Sequence, residues 1–306
     1  MHSVNESVFF IQESYSPRVV RKHKGEKMAV IRTNKWGELF LKHVHNQKDE
    51  ELAFQRLFIQ PLQPLFQFGT DTELATYLEK VGLFTLGDTD ALSLFITKNY
   101  WVFMQEKFLE LKEAWKGPNV PIYLLLANEH LKNRQTDVKG MMGLSFENGI
   151  VLIVSETIEA NDLFALLIHE YHHVCRLSHT KENEETITLL ESMVMEGLAE
   201  LAVKEWLGEG YLAPWTSLYD KTWNDKWADI ISPKKLQLMG RRRYKDLLYG
   251  NAKKNIPHML GYYLGYQLCH QAASLLNEET TALLTTPAEK IYRYGSIEDG
   301  FKNKKP

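Results

Sequence analysis

Residues 169–173 read His-Glu-Tyr-His-His and contain the HExxH pattern of zinc hydrolases. The apolar run before them, at residues 163–168, predicts a helix. On a helix His169 and His173 lie one above the other, so both imidazoles can reach one tetrahedral metal ion while Glu170 flanks it. In metallopeptidases this pattern supplies two metal ligands and the general base.

A zinc ion held by two histidines needs a third protein ligand and an open fourth position for water. Downstream, an apolar stripe at helical spacing predicts a helix over residues 184–207, which ends before Gly208. Glu196 and Glu200 lie four residues apart on that helix and therefore share a face. We predict that Glu196 is the third ligand and that Glu200 accepts the second ring N–H of a ligand histidine.

His172 offers a competing assignment, because it lies three residues after His169 and can reach the same face. The four-residue spacing favours His173 as the ligand, and a fourth protein ligand would close the site to water. His172 is therefore predicted to pack in the core or to support a ligand histidine. The stretch also contains Glu-x-x-His, a unit of di-iron bundles, but those need a second such unit and the sequence has none.

Four stretches of the chain carry a resemblance to one protein family: HEYHHVCR at 169–176, MEGLAE at 195–200, VIRTNKW at 30–36 and GYYLGY at 261–266. They are similar to the YjaZ family of predicted bacterial zinc-dependent proteases, within the wider group of glutamate-zincins. The resemblance spans nearly everything after Met28. It implies a zincin-like fold and a zinc peptidase with one catalytic ion. In better-known glutamate-zincins an aspartate often stands where Glu200 stands here.

Peptide hydrolysis also needs a donor that stabilises the tetrahedral oxyanion beside the metal, usually a tyrosine, histidine or arginine. Near the C-terminus the sequence predicts a helix in which Tyr262 and Tyr266 share a face. These two tyrosines and His258 are the candidates, and Tyr262 is favoured because it lies in the part that resembles the family. Core packing is the alternative role for each of them. In the same helix Gly261 and Gly265 would let another helix approach closely.

The rest of the sequence predicts a mainly helical α+β protein with a small sheet. Amphipathic helices are expected across residues 36–115, followed by a buried strand at 122–127. Asn148-Gly149, between apolar runs at 143–147 and 150–155, is a hairpin signal directly before the HExxH helix. One strand of this hairpin either takes up an extended peptide substrate along its edge or merely covers the core, and both roles remain open.

On these grounds the chain divides into three regions. Residues 1–27 are predicted to be an N-terminal extension that is disordered or mis-assigned, 28–118 a helical region and 119–300 a zincin-like catalytic domain. Residues 24–27 can be encoded by a purine-rich stretch of the kind that precedes a bacterial start codon. Met28 is therefore a candidate native start.

Composition limits the class of protein further. The chain has 306 residues, 44% of them hydrophobic and 25% charged, with a formal net charge of -3, which argues against a nucleic-acid or anionic-membrane binder. A local basic run at 241–243, with three nearby lysines, is predicted to be a solvated face. Cys175 and Cys269 form no disulfide framework or metal-ligand spacing. No transmembrane segment or signal peptide is evident, so we expect a cytoplasmic protein.

We therefore expect a zinc peptidase that hydrolyses peptide bonds with zinc-activated water and with Glu170 as general base. Its partner would be a peptide or protein substrate, without nucleic acid or membrane. A non-catalytic, zinc-stabilised regulatory or binding protein on the same scaffold is the alternative, and zinc hydrolysis of a non-peptide substrate is a third possibility. Glu170 favours an enzyme, because a structural zinc site needs neither a base nor an open position.

Overall fold

The computed structural model describes five stretches of the chain, residues 28–45, 49–66, 68–133, 139–219 and 225–296. By its internal contacts the chain divides into a unit that ends at Val174 and a unit that begins at Cys175. The regions 28–118 and 119–300 remain a prediction. The extension at 1–27 lies outside the described residues.

The first unit consists of helices and one sheet. Its helices are α1 (Thr33–His45), α2 (Glu50–Phe54), α3 (Asp71–Val81), α4 (Thr89–Ile96), α5 (Tyr100–Trp115), α6 (Glu129–Lys132) and α7 (Ala160–Thr180), the last of which continues into the second unit. Its strands are β1 (Val30–Ile31), β2 (Ile122–Leu126), β3 (Met142–Phe146) and β4 (Gly149–Val154). A π-helical turn, Gln55–Ile59, and a 3₁₀ segment, Gln60–Leu65, follow α2 directly.

The four strands form a mixed sheet in the order β1-β2-β4-β3. β1, β2 and β4 run parallel, whereas β3 and β4 form the predicted antiparallel hairpin, in which Gly143 pairs with Leu152. β3 is therefore the last strand on one side of the described sheet. The sequence did not indicate β1, because two residues are too short for a periodic pattern. The Gln105 side chain holds this strand by accepting the N–H groups of Ala29 and Val30, each at 3.0 Å.

The hairpin is anchored in an aromatic core. Every residue of β2, β3 and β4 is buried, which explains why these strands read as nearly continuous apolar runs. The ring of Phe146 packs edge-to-face on Phe66 at a centroid distance of 4.7 Å. Since side chains alternate across a strand, Gly143 and Ser145 occupy the opposite face of β3 from Phe146.

The second unit is helical throughout its described part. Its helices are α8 (Leu189–Leu207), α9 (Asp225–Ile230), α10 (Pro233–Leu236), α11 (Arg241–Tyr249), α12 (Leu260–Leu276), α13 (Thr280–Leu283) and α14 (Ala288–Gly295), with 3₁₀ turns at Glu209–Tyr211, Pro214–Ser217 and Ala252–Lys254. α8 begins later than the predicted residue 184, because the hydroxyl of Thr188 accepts the N–H of Glu191 at 3.1 Å and so caps the helix there.

The fold class is mainly helical α+β, as the sequence predicts. None of the helices in the described stretches is both long and apolar enough to cross a membrane. The zincin-like classification and the cytoplasmic location remain predictions.

Two glycines bring α8 and α12 into close contact. A Cβ atom added to Gly265 would lie 2.1 Å from the carbonyl oxygen of Met193, and one added to Gly197 would lie 2.2 Å from the carbonyl oxygen of Gly265. The close approach predicted for Gly265 is thus confirmed. It places the part of α8 that carries Glu196 directly against α12.

We expect Gly265→Ala to destabilise the protein by about 1–3 kcal/mol, because the atom it meets is backbone and the two helices would have to separate. Gly210→Ala is the matched control, since nothing lies within 4 Å of a Cβ atom there. Urea unfolding of both variants measures the difference. Equal midpoints for the two variants would show that the helix contact is looser than described.

Candidate metal centre

α7 presents the two histidines of the HExxH pattern on one face. The rings of His169 and His173 lie 4.5 Å apart between centroids and are nearly perpendicular, at 84°. His173 is fully buried and His169 is partly exposed. This is the arrangement that the four-residue spacing predicts on a helix.

Glu196 of α8 completes a group of three potential ligands. One ligand atom from each of His169, His173 and Glu196 can be chosen so that all three lie within 4.8 Å of one another. Glu196 is only 1% exposed, and a buried carboxylate is costly unless a cation or hydrogen bonds offset its charge. Two imidazole nitrogens and one carboxylate oxygen suit zinc and leave a fourth position for water. The donor set therefore fits the predicted ion.

Glu170 lies against strand β3. A Cβ atom added to Gly143 would lie 2.2 Å from the carboxyl carbon of Glu170, so only glycine leaves room for this carboxylate. The hydroxyl of Ser145 donates to Oε2 of Glu170 and lies 2.8 Å from the Glu170 carbonyl oxygen. Glu170 is 3% exposed, and its side chain is thus held in one place by two residues that sequence analysis did not single out. The sequence held one signal for this contact: Gly143 and Ser145 lie two residues apart, so both are on the same face of a strand.

If Glu170 is the general base of a peptidase, as the sequence predicts, Ser145→Ala should lower kcat/KM for peptide hydrolysis by about tenfold or more, because a hydrogen bond to a charged group contributes about 1.5–3 kcal/mol. Ser192→Ala is the matched control: Ser192 is also buried, and its hydroxyl lies 2.9 Å from that of Tyr244. Its loss should lower stability without changing kcat/KM of the folded protein. Wild-type kcat/KM in Ser145→Ala would mean that the serine does not hold the carboxylate.

His172 is not one of the three side chains that converge. It is fully buried, and its ring meets Trp115 edge-on at 5.4 Å between centroids. Trp115 also stacks on Tyr171 at 5.8 Å, and the hydroxyl of Tyr171 donates to the carbonyl oxygen of Pro118 at 3.0 Å. This placement favours the packing role for His172.

Glu200 lies one turn after Glu196 and is also buried. Its Oε2 accepts the backbone N–H of Ala213 at 2.7 Å, which ties the segment after α8 back onto the helix. Burial and the negative charges of Glu200 and Glu209 raise the pKa of Tyr266 to about 12. A hydrogen bond that Glu200 accepts from the second ring N–H of a ligand histidine remains a prediction.

The three candidate oxyanion donors differ in their surroundings. Tyr262 is 3% exposed and its hydroxyl donates to that of Tyr249, with 3.3 Å between the oxygens. Burial and then the charge of Glu196 raise the pKa of Tyr262 well above its ordinary value. His258 is exposed, and its carbonyl oxygen accepts the hydroxyl of Tyr219 at 2.6 Å. The charge of Glu196 thus acts on Tyr262 among the three candidates.

The burial of Arg241 shows that one prediction from the sequence is wrong. The basic run at 241–243 was expected to be a solvated face, yet Arg241 is only 5% exposed, and Nε lies 3.6 Å from Oε1 of Glu184. Burial opposes its charge, but nearby Tyr249, Glu184, Tyr262 and Glu196 raise its pKa above the ordinary value. The charge of Glu196 therefore acts on a buried arginine that stays positively charged.

The signal for this burial was present in the sequence. Arg241, Tyr244 and Leu248 are spaced three and four residues apart and all are buried, whereas Arg242 and Arg243 are exposed. The arginine occupies the first position of an apolar stripe.

A histidine pair and a glutamate brought together on helices define a metal-binding protein of the mainly helical α+β class. The family described as "Predicted Zn-dependent protease (DUF2268)" matches residues 100–293, and the chain belongs to it. The uncharacterized protein YjaZ of Bacillus subtilis (strain 168) is 33% identical over 193 residues, which cover 63% of this chain and 73% of YjaZ. The resemblance to the YjaZ family is thereby confirmed.

A second relative matches a shorter part of the chain. The uncharacterized protein YjfC of the same organism is 25% identical over 122 residues, which cover 37% of this chain and 40% of YjfC. No solved structure matches the chain.

Proposed function

We propose that this protein is a zinc-dependent peptidase in which His169, His173 and Glu196 hold one zinc ion and Glu170 is the general base. The observation that carries the proposal is that one ligand atom from each of these three residues lies within 4.8 Å of the others. The buried Glu170 directly follows His169 on α7. The family description as a predicted Zn-dependent protease supports the same chemistry.

Each residue then has a definite task. Zinc, when bound, supplies Lewis acidity to water and to the scissile carbonyl. Glu170 accepts a proton from the attacking water as the new C–O bond forms, and it returns a proton to the leaving amine as the C–N bond breaks. Ser145 and Gly143 keep the Glu170 carboxylate in place for both transfers. A fixed base avoids the cost of reorganising during the reaction.

Strand β3 is the substrate edge that we propose. It is the last strand on one side of the described sheet, and its Gly143–Ser145 face meets the proposed base. An extended peptide that paired with its backbone would gain hydrogen bonds without a requirement for particular side chains. A hairpin that only covers the core remains the alternative.

Tyr262 is the oxyanion donor that we propose. The hydrogen bond between the two hydroxyls of Tyr262 and Tyr249 can reverse, so that Tyr249 donates and Tyr262 accepts. The Tyr262 proton can then point at the negative charge that develops on the oxygen of the substrate carbonyl. Tyr262→Phe is expected to lower kcat by about 10²–10³-fold with little change in KM, the range found when one such donor is removed. Tyr266→Phe, on the same face of α12, is the matched control and should cost far less. A larger loss in Tyr266→Phe would reassign the donor.

The experiment that tests the proposed function is cleavage of a quenched peptide library by the purified protein. We expect cleavage that a zinc chelator abolishes and that added zinc restores. A wild-type protein that holds zinc and cleaves no peptide would favour the non-catalytic regulatory protein, and hydrolysis of other compounds only would favour a non-peptide substrate.

A further inference from the structure

A buried arginine joins the two ligand helices at one point. Arg176 of α7 is fully buried, and its guanidinium makes a two-pronged contact with Glu191 of α8: Nε to Oε1 at 2.5 Å and Nη2 to Oε2 at 2.9 Å. Such a parallel pair of bonds fixes both the distance and the relative orientation of its two partners.

The same guanidinium also contacts a third segment. Nη1 lies 3.2 Å from each of the carbonyl oxygens of Leu283, Leu284 and Thr286, at the C-terminal end of α13. Carbonyls at a helix end have no partner within the helix, so Arg176 satisfies them while it binds Glu191. Three pieces of the chain therefore meet at this one side chain.

Stability alone does not account for this ion pair. Burial raises the pKa of Glu191, although the charge and the hydrogen bonds of Arg176 act to lower it. Buried ion pairs can often be replaced by apolar residues of similar volume without loss of stability. What apolar residues cannot supply is the directional contact that fixes one helix against the other.

We propose that Arg176 and Glu191 are positioning residues for the metal, which set the register between the helix that carries the histidines and the helix that carries Glu196. Arg176 lies three residues after His173, about 4.5 Å along its helix, and Glu191 lies five residues before Glu196, about 7.5 Å along its own. A slip at the pair would therefore displace Glu196 relative to the histidines. This inference rests on the proposed zinc site.

The decisive variant is the double substitution Arg176→Met with Glu191→Leu, which removes both charges and keeps the volume. We expect it to fold with lower thermal stability, because the carbonyl oxygens of Leu283, Leu284 and Thr286 lose a donor. At a temperature where the metal-free variant is folded, it should bind zinc about 10–100-fold more weakly, the loss usual when a ligand's supporting residues are removed. Zinc affinity is measured by competition with a chromophoric chelator. The visible spectrum of the Co²⁺-loaded protein gives a second readout, which should change if Glu196 has moved.

Glu205→Gln is the matched control on the same helix. Glu205 also carries a long-range contact, since its Oε1 accepts the N–H of Thr280 at 3.0 Å, but it lies on the far side of Glu196 from Glu191. It should lower thermal stability and leave zinc affinity unchanged. Equal losses of zinc affinity in the control and in the double variant would overturn the positioning role.

Two further outcomes are informative. If the double variant does not fold, Glu191→Gln decides, because it keeps the size of the side chain and breaks the charge pair: weaker zinc binding by the folded protein supports the proposal, and unchanged binding overturns it. Wild-type zinc affinity in a folded double variant also overturns it. A wild-type protein that binds no zinc would overturn both this inference and the proposed function, whereas unchanged affinity in the variants overturns only the former.

Discussion

Glu170→Gln is expected to bind zinc as tightly as the wild type and to lose peptidase activity by about 10²–10⁴-fold or more, the usual contribution of a general acid–base group. The amide keeps the size of the side chain and can still accept the hydroxyl of Ser145, so the fold should not change. It cannot take a proton from water at neutral pH. Initial rates on a cleaved library peptide, normalised to bound zinc, provide the measurement.

Glu159→Gln is the matched control for this substitution. Glu159 is exposed and directly precedes α7, so its variant should keep both zinc and activity. If Glu170→Gln retained full turnover with zinc bound, another group would have to be the base. Loss of zinc in Glu170→Gln would instead mean that the carboxylate is a ligand.

Glu196→Ala is expected to weaken zinc binding by more than about 100-fold, because removal of a ligand should cost more than removal of a ligand's hydrogen-bond partner. The change also removes the carboxylate whose charge bears on Arg241 and Tyr262. The metal-free variant should still fold, because Glu184 remains beside Arg241, while the zinc-dependent gain in thermal stability disappears. Thermal unfolding with and without added zinc measures this.

Glu205→Ala serves as the control on the same helix, and its zinc-dependent gain in stability should match that of the wild type. A full zinc-dependent gain in Glu196→Ala would show that the third ligand lies elsewhere.

The pairing of the two histidines was predictable because it depends on local periodicity, whereas Glu196, 23 residues after His173, was chosen because zinc needs a third ligand. A four-residue spacing on a helix places His169 beside His173 whatever surrounds them, and the same rule places Glu200 one turn after Glu196. The hairpin was equally local, because Asn148 and Gly149 indicate the turn between two apolar runs.

What could not be predicted depends on partners far away in the sequence. Ser145 meets Glu170 across 25 residues, and Arg176 reaches carbonyl oxygens more than 100 residues later. The sequence at Ser145 and at Arg176 does not show these contacts. Arg241 was assigned to a solvated face for a different reason. The basic run hid a helical stripe, because two exposed arginines follow the buried one.

The measurement that tests the central claim most directly is zinc content by elemental analysis on the purified wild type, Glu196→Ala and Glu170→Gln. We predict one zinc per wild-type chain, loss of zinc in Glu196→Ala and retention of zinc in an inactive Glu170→Gln. Unchanged zinc in Glu196→Ala, or a wild-type protein that holds no zinc after incubation with it, would contradict the account.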